Sequence, residues 1–209
     1  FRAEFTGTDV SRVKFTKDAD FSEAEFNEAD STWAELTRCS FSWVKCIEAD
    51  FFGAEFIEAD ISWVEFIEAD FFGAEFIEAD FSWVKFTKAS FFGAECTWIA
   101  HFSKAKFTKD ADFSFVKFTE ADFSRVKFTG IAHFSKAEFT GYVDFSRATF
   151  EEKPIFEYAL DSKTYKARFS CKAAPEDYKF EVSSESPYKI ETEEQELNST
   201  KHIIPKDAE

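Results

Sequence analysis

The sequence FFGAEFIEADFSW at residues 71–83 repeats, with one substitution, the sequence FFGAEFIEADISW at residues 51–63. Within the later copy, Phe returns at every fifth position, as Phe71, Phe76 and Phe81. A spacing of five fits neither the 3.6-residue period of an α-helix nor the simple alternation of a β-strand. The phrase therefore predicts a repeat architecture, in which each copy packs on the next.

The five-residue spacing extends through about thirty units, whose central residues run from Phe5 to Phe156. The residue two places before each centre is usually Ala or Val, and the residue one place before it is usually charged. Since the chain has 31 Phe and no Met, one kind of interior site is filled repeatedly. The predicted core centres in the most regular part are Phe51, Phe56, Phe66, Phe71, Phe76, Phe81, Phe86 and Phe91.

This pattern resembles the pentapeptide-repeat family, whose unit is a small residue, a polar residue, a central Leu or Phe and two further polar residues. The units ADFFG, AEFIE, ADFSW and VKFTK at residues 69–88 follow that motif in order. The resemblance covers roughly residues 3–158. It implies a right-handed quadrilateral β-helix with four units per square coil, in which the central residue and the small residue point inward.

The sequence supports four units per coil independently. Residues 41–60, 61–80 and 81–100 are near-copies, so a twenty-residue coil places matching residues directly above one another. At the ~4.8 Å spacing of β-strands, about seven and a half coils form a rod of roughly 36 Å. We therefore predict an all-β protein in which residues 1–158 form a pentapeptide-repeat β-solenoid.

Single-residue insertions interrupt the spacing at six places, namely Asp18, Ile99, Asp110, Ile131, Tyr142 and Lys153. Each insertion follows an even-numbered unit when Phe5 is counted as zero. They should therefore lie at two opposite corners of the square, where an extra residue can bulge without shifting the faces.

Residues 159–209 differ in composition, since they contain no Gly and three of the four Pro. Three similar phrases, TYKARF, DYKFEV and PYKIET, predict short strands in a C-terminal cap or docking segment. We expect this segment to end in a mobile tail, EEQELNSTKHIIPKDAE. The alternative is disorder throughout.

Acidic columns are predicted on two opposite faces, because Asp recurs one place before the centre. Their most regular members are Asp30, Asp50 and Asp70 on one face and Asp60 and Asp80 on the other. Three interpretations remain open: a solvated surface, a cation-binding column, and a mimic of the phosphate backbone of DNA. If the carboxylates are crowded, their pKa values should be raised and stability should increase as the pH falls.

Aromatic residues also recur at outward positions, in two columns on opposite faces. The predicted contact ladders are Phe52, Phe72 and Phe92 on one face and Trp43, Trp63 and Trp83 on the other. An exposed apolar strip usually marks a contact surface. Stacking of the rings on one another, or binding of a ligand such as a sugar, are the alternatives.

Catalytic and cofactor chemistry are not indicated. The sequence has no glycine-rich phosphate loop, no CxxC pair and no HExxH motif, and His101, His133 and His202 are widely separated. Acid–base catalysis requires a desolvated pocket, which a Phe-filled rod does not offer. We therefore expect no enzyme activity, no cofactor and no catalytic or metal residue.

The charge distribution bears on partners. The chain carries a net charge of −16, with −13 in residues 1–98 and +2 in residues 99–150. Direct nucleic-acid binding is disfavoured, since it requires cations against phosphates, and no apolar run is long enough to cross a membrane. Because the sequence does not begin with Met, a processed chain, exported or at the cell surface, is slightly favoured over a cytoplasmic one.

Two functions remain open. The favoured one is a structural, self-associating interaction protein, which would use the aromatic ladders and an uncapped N-terminal end and form homo-oligomers or larger assemblies. The alternative is an acidic, dimeric mimic of DNA that binds a type II topoisomerase such as gyrase. Residues 48–80, with eleven acids and no base, suit the mimic, whereas the basic excess of residues 99–150 interrupts it.

Overall fold

The computed structural model describes residues 3–16, 19–160, 162–170, 177–197 and 200–206. These residues contain only short β-strands and turns. In chain order, the strands of the repeat region are β1 (Glu4–Thr6), β2 (Lys14–Thr16), β3 (Glu25–Asn27), β4 (Glu35–Thr37), β5 (Lys45–Ile47), β6 (Glu55–Ile57), β7 (Glu65–Ile67), β8 (Ala69–Asp70), β9 (Glu75–Ile77), β10 (Lys85–Phe86), β11 (Ala89–Ser90), β12 (Glu95–His101), β13 (Lys106–Phe107), β14 (Ala111–Asp112), β15 (Lys117–Asp122), β16 (Lys127–Phe128), β17 (Ala132–His133), β18 (Glu138–Phe139), β19 (Val143–Asp144) and β20 (Thr149–Phe150).

The strands stack into a four-faced solenoid, which confirms the predicted all-β fold. The first face is a parallel eight-stranded sheet in the order β1-β3-β5-β7-β10-β13-β16-β20, with one strand per coil. The third face carries β2-β4-β6-β9-β12-β15-β18 in the same way. The second face carries β8, β11, β14 and β17 together with isolated bridges, and bridges such as Asp60↔Asp80 also define the fourth face.

Phe rings fill the interior. The eight core centres named above are all buried, with at most 2% of each residue exposed. Rings one coil apart stack face to face, as Phe71 does on Phe51 at 5.1 Å and on Phe91 at 4.9 Å between centroids. The Ala and Val residues two places earlier are buried beside them and leave room for the rings. Burying one such ring stabilises the fold by about 1.5–3 kcal/mol.

Smaller centres leave space at the N-terminal end of the described solenoid. Val10 and Ser31 stand where Phe would otherwise lie, and a cavity of about 200 Å³ opens there. Its walls are the aromatic and aliphatic residues Phe5, Val10, Phe15, Phe21, Phe26, Leu36 and Phe41, with Ser31. The core is therefore less tightly filled in these first coils than in the later ones.

Insertions produce corner bulges. The pairing of β12 with β15 shifts register between Cys96 and Ile99, at the predicted insertion. The backbone N–H of inserted Ile131 donates to Oδ1 of inserted Asp110 one coil below, at 2.9 Å. The predicted insertion at Asp18 lies outside the described residues.

The chain after residue 158 continues the solenoid further than expected. The remaining strands are β21 (Glu157–Leu160), β22 (Lys163–Lys166), β23 (Arg168–Ser170), β24 (Tyr178–Lys179), β25 (Glu191–Leu197) and β26 (Thr200–Lys206). Strand β23 pairs in parallel with β18, and β24 with β19. Phe169 stacks on Phe139 at 4.5 Å, so two of the three similar phrases supply part of a last, irregular coil.

The described residues of the expected mobile tail, 193–197 and 200–206, lie in a hairpin, while residues 198–199 and 207–209 of that segment lie outside the described residues. Strands β25 and β26 pair antiparallel, and β26 also pairs with β23. Ile204 is only 1% exposed, and Ile203 packs against the core. These apolar side chains explain why the segment is held on the solenoid. The outer strand β25, with the sequence ETEEQEL, places Glu residues on the open edge of the sheet, a feature that discourages pairing with other strands.

Candidate functional site

The Trp ladder lies on the fourth face. Trp43, Trp63 and Trp83 each end a unit, where the backbone turns the corner with left-handed φ angles of 64°, 61° and 62°. Their rings stack at 5.0 Å between Trp43 and Trp63 and at 4.8 Å between Trp63 and Trp83. The three residues are nevertheless 60%, 43% and 46% exposed. Stacking therefore covers the ring faces and leaves the ring edges in solvent.

The same column becomes basic in the next coils, which the sequence reasoning did not anticipate. Lys104 lies above Trp83, with Nζ at 4.1 Å from the ring centroid, a cation–π distance. The N–H of Lys104 donates to the carbonyl of Ser124, and that of Arg125 to the carbonyl of Ser146, so Arg125 and Arg147 continue the column. The insertion at Ile99 changes the spacing from 20 to 21 residues, and correcting for it would have revealed this continuation.

The Phe ladder lies on the second face. Phe52 stacks on Phe72 at 5.3 Å, and Phe72 on Phe92 at 5.2 Å. Two residues that the sequence reasoning missed extend it, because Trp33 meets Phe52 at 5.3 Å and Phe115 meets Phe92 at 4.9 Å. Both occupy the position after the ladder column, so a search of one column could not find them. The hairpin of β21 and β22 adds Tyr165, at 6.1 Å from Phe115.

Glycine makes room for the end of this ladder. Gly53 has a left-handed φ of +63°, and a Cβ on it would lie 2.7 Å from two ring atoms of Trp33. Gly73 has the same φ, but a Cβ there would meet nothing within 4 Å. Trp33 therefore lies over the bare backbone of Gly53, a contact that no residue with a side chain would allow.

The Asp columns have a structural task. In each of them, Asp Oδ1 accepts a hydrogen bond of 2.6–3.0 Å from the backbone N–H two residues later. This turn occurs at Asp9, Asp20, Asp30, Asp50, Asp60, Asp70, Asp80, Asp112, Asp122 and Asp144. The carboxylate satisfies an N–H at the start of each face, which explains why Asp is preferred to Glu there.

The expected rise in the pKa values of the Asp columns is wrong for the three column members whose pKa is shifted. Hydrogen bonds from the side chain and backbone of Ser11 lower the pKa of Asp9, and those from Ser22 lower the pKa of Asp20. The expectation considered only the neighbouring carboxylates. It overlooked the N–H donor that each turn aims at its own Asp.

Asp144 is the third and most enclosed of these carboxylates, with 8% of the residue exposed. The hydroxyl of Tyr142 donates to its Oδ2 at 2.7 Å, and Lys179 Nζ lies 3.3 Å from the same atom. Burial alone would raise its pKa, but hydrogen bonds from Ser146, Tyr142 and Lys179 outweigh burial and hold the pKa below its usual value. Since Lys179 belongs to β24, this cluster fastens the last coil to the one below.

A cation-binding column finds no support in the side-chain positions. Among the residues that the structure describes, no three His, Cys, Asp or Glu side chains are grouped closely enough to hold a metal ion. His101 and His133 pair with Asp80 and Asp112 of the neighbouring coil, within the acidic columns. Nor does the described part of the chain contain a helix long and apolar enough to span a bilayer.

Two family models, both described as pentapeptide repeats, match the sequence. One matches residues 91–137 and 102–149, and the other matches residues 17–51, 34–71 and 54–93. Together they cover most of the solenoid and more than half of the chain. A search of curated proteins found no significant match.

Solved structures similar to the chain are also pentapeptide repeat proteins. HetL from the cyanobacterium Nostoc sp. strain PCC 7120, involved in heterocyst differentiation regulation, is 21% identical, with 86% of this chain and 90% of HetL covered and a TM-score of 0.32. A trypsin-treated variant of QnrB1, a plasmid-mediated fluoroquinolone resistance protein, is 14% identical, with coverage of 71% and 78% and a TM-score of 0.38. A protein of the Arabidopsis thaliana thylakoid lumen is 25% identical, with coverage of 60% and 68% and a TM-score of 0.20. All three TM-scores are below 0.5, so nothing about a partner follows from them.

Proposed function

The chain belongs to the pentapeptide-repeat family, and on that premise we propose that it is a non-enzymatic interaction protein that self-associates side by side through its two aromatic ladders. The ladders support this proposal because they are exposed although each ring already stacks on its neighbours. Stacking of the rings on one another removes only the ring faces from water. The edges that remain in water form an apolar strip along each of two faces.

The size of the strips fits a contact surface. An aromatic side chain presents roughly 150–250 Å², so three half-exposed Trp residues leave roughly 350 Å² in solvent on the fourth face. A strip of that size is comparable to the largest apolar patch on an ordinary monomer and often has a function. It is smaller than the ~800 Å² per partner of a stable interface, so further polar contacts must accompany it.

The placement of the ladders favours an open assembly. They lie on the second and fourth faces, which are opposite sides of the square. One molecule can therefore contact a neighbour on each side at the same time. Contacts of this kind propagate and do not close at a dimer.

The non-enzymatic part of the proposal is supported by where the polar and apolar groups lie. Stacked rings fill the interior, and the cavity near the N-terminal end is lined by apolar residues and Ser31 alone. The long rows of carboxylates lie on the outer faces, where each Asp of the columns accepts its turn hydrogen bond. Apart from the buried Asp144, these carboxylates face solvent and have structural partners, and a desolvated acid–base pair requires the opposite environment.

The test compares ladder variants with a matched control. Replacing Trp43, Trp63 and Trp83 by Asn removes the rings and keeps a residue that tolerates left-handed φ. Replacing Trp98, which is 63% exposed and outside both ladders, by Asn is the control. Sedimentation velocity should show large species for the native protein and the Trp98→Asn variant, and smaller species for the ladder variant. Equal association of all three proteins would contradict the proposal.

A mimic of DNA that binds a type II topoisomerase is the second candidate. It is favoured by the exposed carboxylates Asp30, Asp50 and Asp70, which are stacked one per coil. In that case the protein should be a discrete dimer and should inhibit topoisomerase activity in competition with DNA, more weakly at high salt. Absence of inhibition at low salt would remove this candidate.

A further inference from the structure

We propose that one edge of the solenoid is a cationic docking ridge for the acidic edge of a second copy of this chain. The basic edge consists of Lys104, Lys106, Arg125, Lys127 and Arg147. The acidic edge consists of Glu28, Asp30, Glu48, Asp50, Glu68 and Asp70. The inference rests on the proposed self-association and adds a contact between charged edges, separate from the contact between aromatic strips.

The basic edge lies at the corner between the fourth and first faces. Lys104, Arg125 and Arg147 continue the column of the Trp ladder, as described above. Lys106 and Lys127 occupy the adjacent column, where they pair directly with each other in β13 and β16. Within the described ranges, neither Lys104, Lys106, Arg125 nor Arg147 forms a salt bridge, whereas Lys127 contacts Glu151 at 2.5 Å.

Lower in the same column the charges alternate in sign. Strand pairing places Glu25, Lys45, Glu65 and Lys85 one above another, and Lys85 Nζ reaches Glu65 Oε1 at 2.5 Å. Above Lys85 the alternation ends, since Lys106 and Lys127 follow. Like charges on neighbouring strands destabilise a sheet. Apart from Lys127, which contacts Glu151, the basic edge thus lacks the compensating acids of the lower coils.

A groove beside the basic edge offers additional donors. It encloses about 470 Å³ and is lined by Lys104, Arg125, Arg147 and Lys179, with Ser103, Ser124, Ser146 and Asp144. The one carboxylate in the lining, Asp144, is already held by Tyr142, Ser146 and Lys179. Lys179 is engaged with Asp144, but Lys104, Arg125 and Arg147 form no salt bridge to a described residue and can receive carboxylates from outside.

The acidic edge lies at the corner between the first and second faces. All six of its side chains are exposed, and the bridges Asp30↔Asp50 and Asp50↔Asp70 stack the Asp residues directly. None of the six forms a salt bridge to a described residue. Two like charges about 5 Å apart repel by roughly 1 kcal/mol in water, so an opposite charge alongside relieves a repulsion on each edge.

The spacing identifies the partner as a second copy. Both edges belong to one solenoid, so their charges repeat at the same ~4.8 Å strand spacing. Each edge spans three coils, and every level of one can therefore meet a level of the other. A polyanion with a different repeat would match at one level and drift out of register at the next.

The positions of the two edges along the solenoid axis predict how neighbouring copies are displaced in the assembly. Both edges border the first face, but the acidic edge lies about four coils below the basic one, roughly 18 Å along the axis. Pairing them displaces the second copy by that distance. Each pair then leaves one basic and one acidic edge free, so the contact is heterologous and the chain of copies grows.

A charge-swap experiment tests the inference. In the first variant Lys104, Arg125 and Arg147 become Glu, and in the second Glu28, Glu48 and Glu68 become Lys, which leaves every Asp turn intact. Each variant alone should require at least a tenfold higher concentration for half-maximal association by light scattering. An equimolar mixture should recover native association, because the retained edges of the two variants are opposite in charge and so are their reversed edges. A control with Lys153, Lys163 and Lys189 changed to Glu should behave like the native protein.

The outcomes separate this inference from the proposed function. If the native protein does not associate, both are overturned. If the native protein and both variants associate equally, self-association stands and the edge pairing is overturned, as it also is if the mixture fails to recover association. If both variants still associate but only the first loses retention on immobilised heparin, the basic edge binds a polyanion and not a second copy.

Discussion

The last residue of each five-residue unit is in the position with the most restrictive backbone conformation, because its φ angle is often in the left-handed region. Glu48, Glu58, Glu68 and Trp63, with φ angles between 51° and 61°, adopt a conformation that Gly or Asn accepts more readily. The solenoid tolerates this strain, since stacking of coils fixes the corner. Gly is used at Gly53, Gly73 and Gly93, in the column beside the Phe ladder.

Substituting two glycines that have the same φ angle distinguishes the cost of backbone strain from the cost of a steric clash. Gly73→Ala should destabilise the fold by about 1 kcal/mol, the cost of a Cβ at positive φ. Gly53→Ala should destabilise it more, because the new Cβ would meet the ring of Trp33. Thermal melts, with Trp fluorescence as a second readout, should show the larger loss and a spectral change for Gly53→Ala only. Equal losses without a change in fluorescence would mean that Trp33 does not rest on Gly53.

Adjacent phenylalanines provide a second comparison, between core and ladder. Phe71 is fully buried, whereas Phe72 is 41% exposed. Phe71→Ala should lower the free energy of unfolding by about 3–5 kcal/mol, as expected for loss of a buried ring. Phe72→Ala should cost less than about 1.5 kcal/mol, since it removes one stacked surface ring. Denaturant titration of both variants measures the difference, and similar losses would contradict the inward direction of the five-residue centres.

Among the structural elements, the repeat strands were predictable and the C-terminal ones were not. A residue such as Phe76 recurs in a spacing that only a stacked coil explains, so one phrase determines many strands. Phe169 is separated from the preceding centre, Phe156, by the hairpin of β21 and β22, and no fixed spacing points to it. The stacking of its ring on Phe139 fixes its place, and the sequence pattern does not show that contact.

The aromatic ladders were predictable in part. Trp43, Trp63 and Trp83 share one column and a constant spacing, so their alignment follows from the sequence. Trp33 joins the Phe ladder from the next column, and Lys104 follows an insertion, so each breaks the rule that revealed the rest. The turn hydrogen bonds of the Asp residues were also missed, because spacing identifies neighbours one coil away but not a donor two residues along the chain.

The pH dependence of the last coil tests the Asp144 cluster. Since the folded pKa of Asp144 lies below its ordinary value, the ionised form stabilises the fold at pH values above the unfolded pKa of about 3.9. That stabilisation is lost as the pH falls through the folded pKa. The protection of β24 against hydrogen exchange, relative to the intrinsic rate at each pH, should therefore fall below about pH 4.

Two matched Asp variants test whether Asp144 causes this pH dependence. Asp144→Asn should abolish most of the pH dependence of this protection in β24, because Asn cannot ionise beside Lys179. Asp112→Asn removes the carboxylate of an equivalent turn without these partners, and it should leave exchange in β24 unchanged. A native protein whose last coil became more protected in acid would contradict the lowered pKa.

At the scale of the whole molecule, the sign of the surface charge varies with position along the solenoid axis as well as from face to face. The acidic and basic edges occupy different coils, so the net charge of −16 conceals two complementary surfaces. The aromatic strips lie on the second and fourth faces, which flank the first face and its two edges. The apolar strips and the two charged edges therefore offer separate contacts, each suited to repetition from one copy to the next.

The most direct test of self-association is the mass distribution of the native protein by light scattering over a range of concentrations, with negative-stain images of the same samples. If the chain self-associates, masses should rise with concentration beyond a dimer of the 24.1 kDa chain, and the images should show staggered rods. Raising the salt concentration should reduce the mass, since charged edges contribute. A single species of 24.1 kDa at every concentration would contradict self-association.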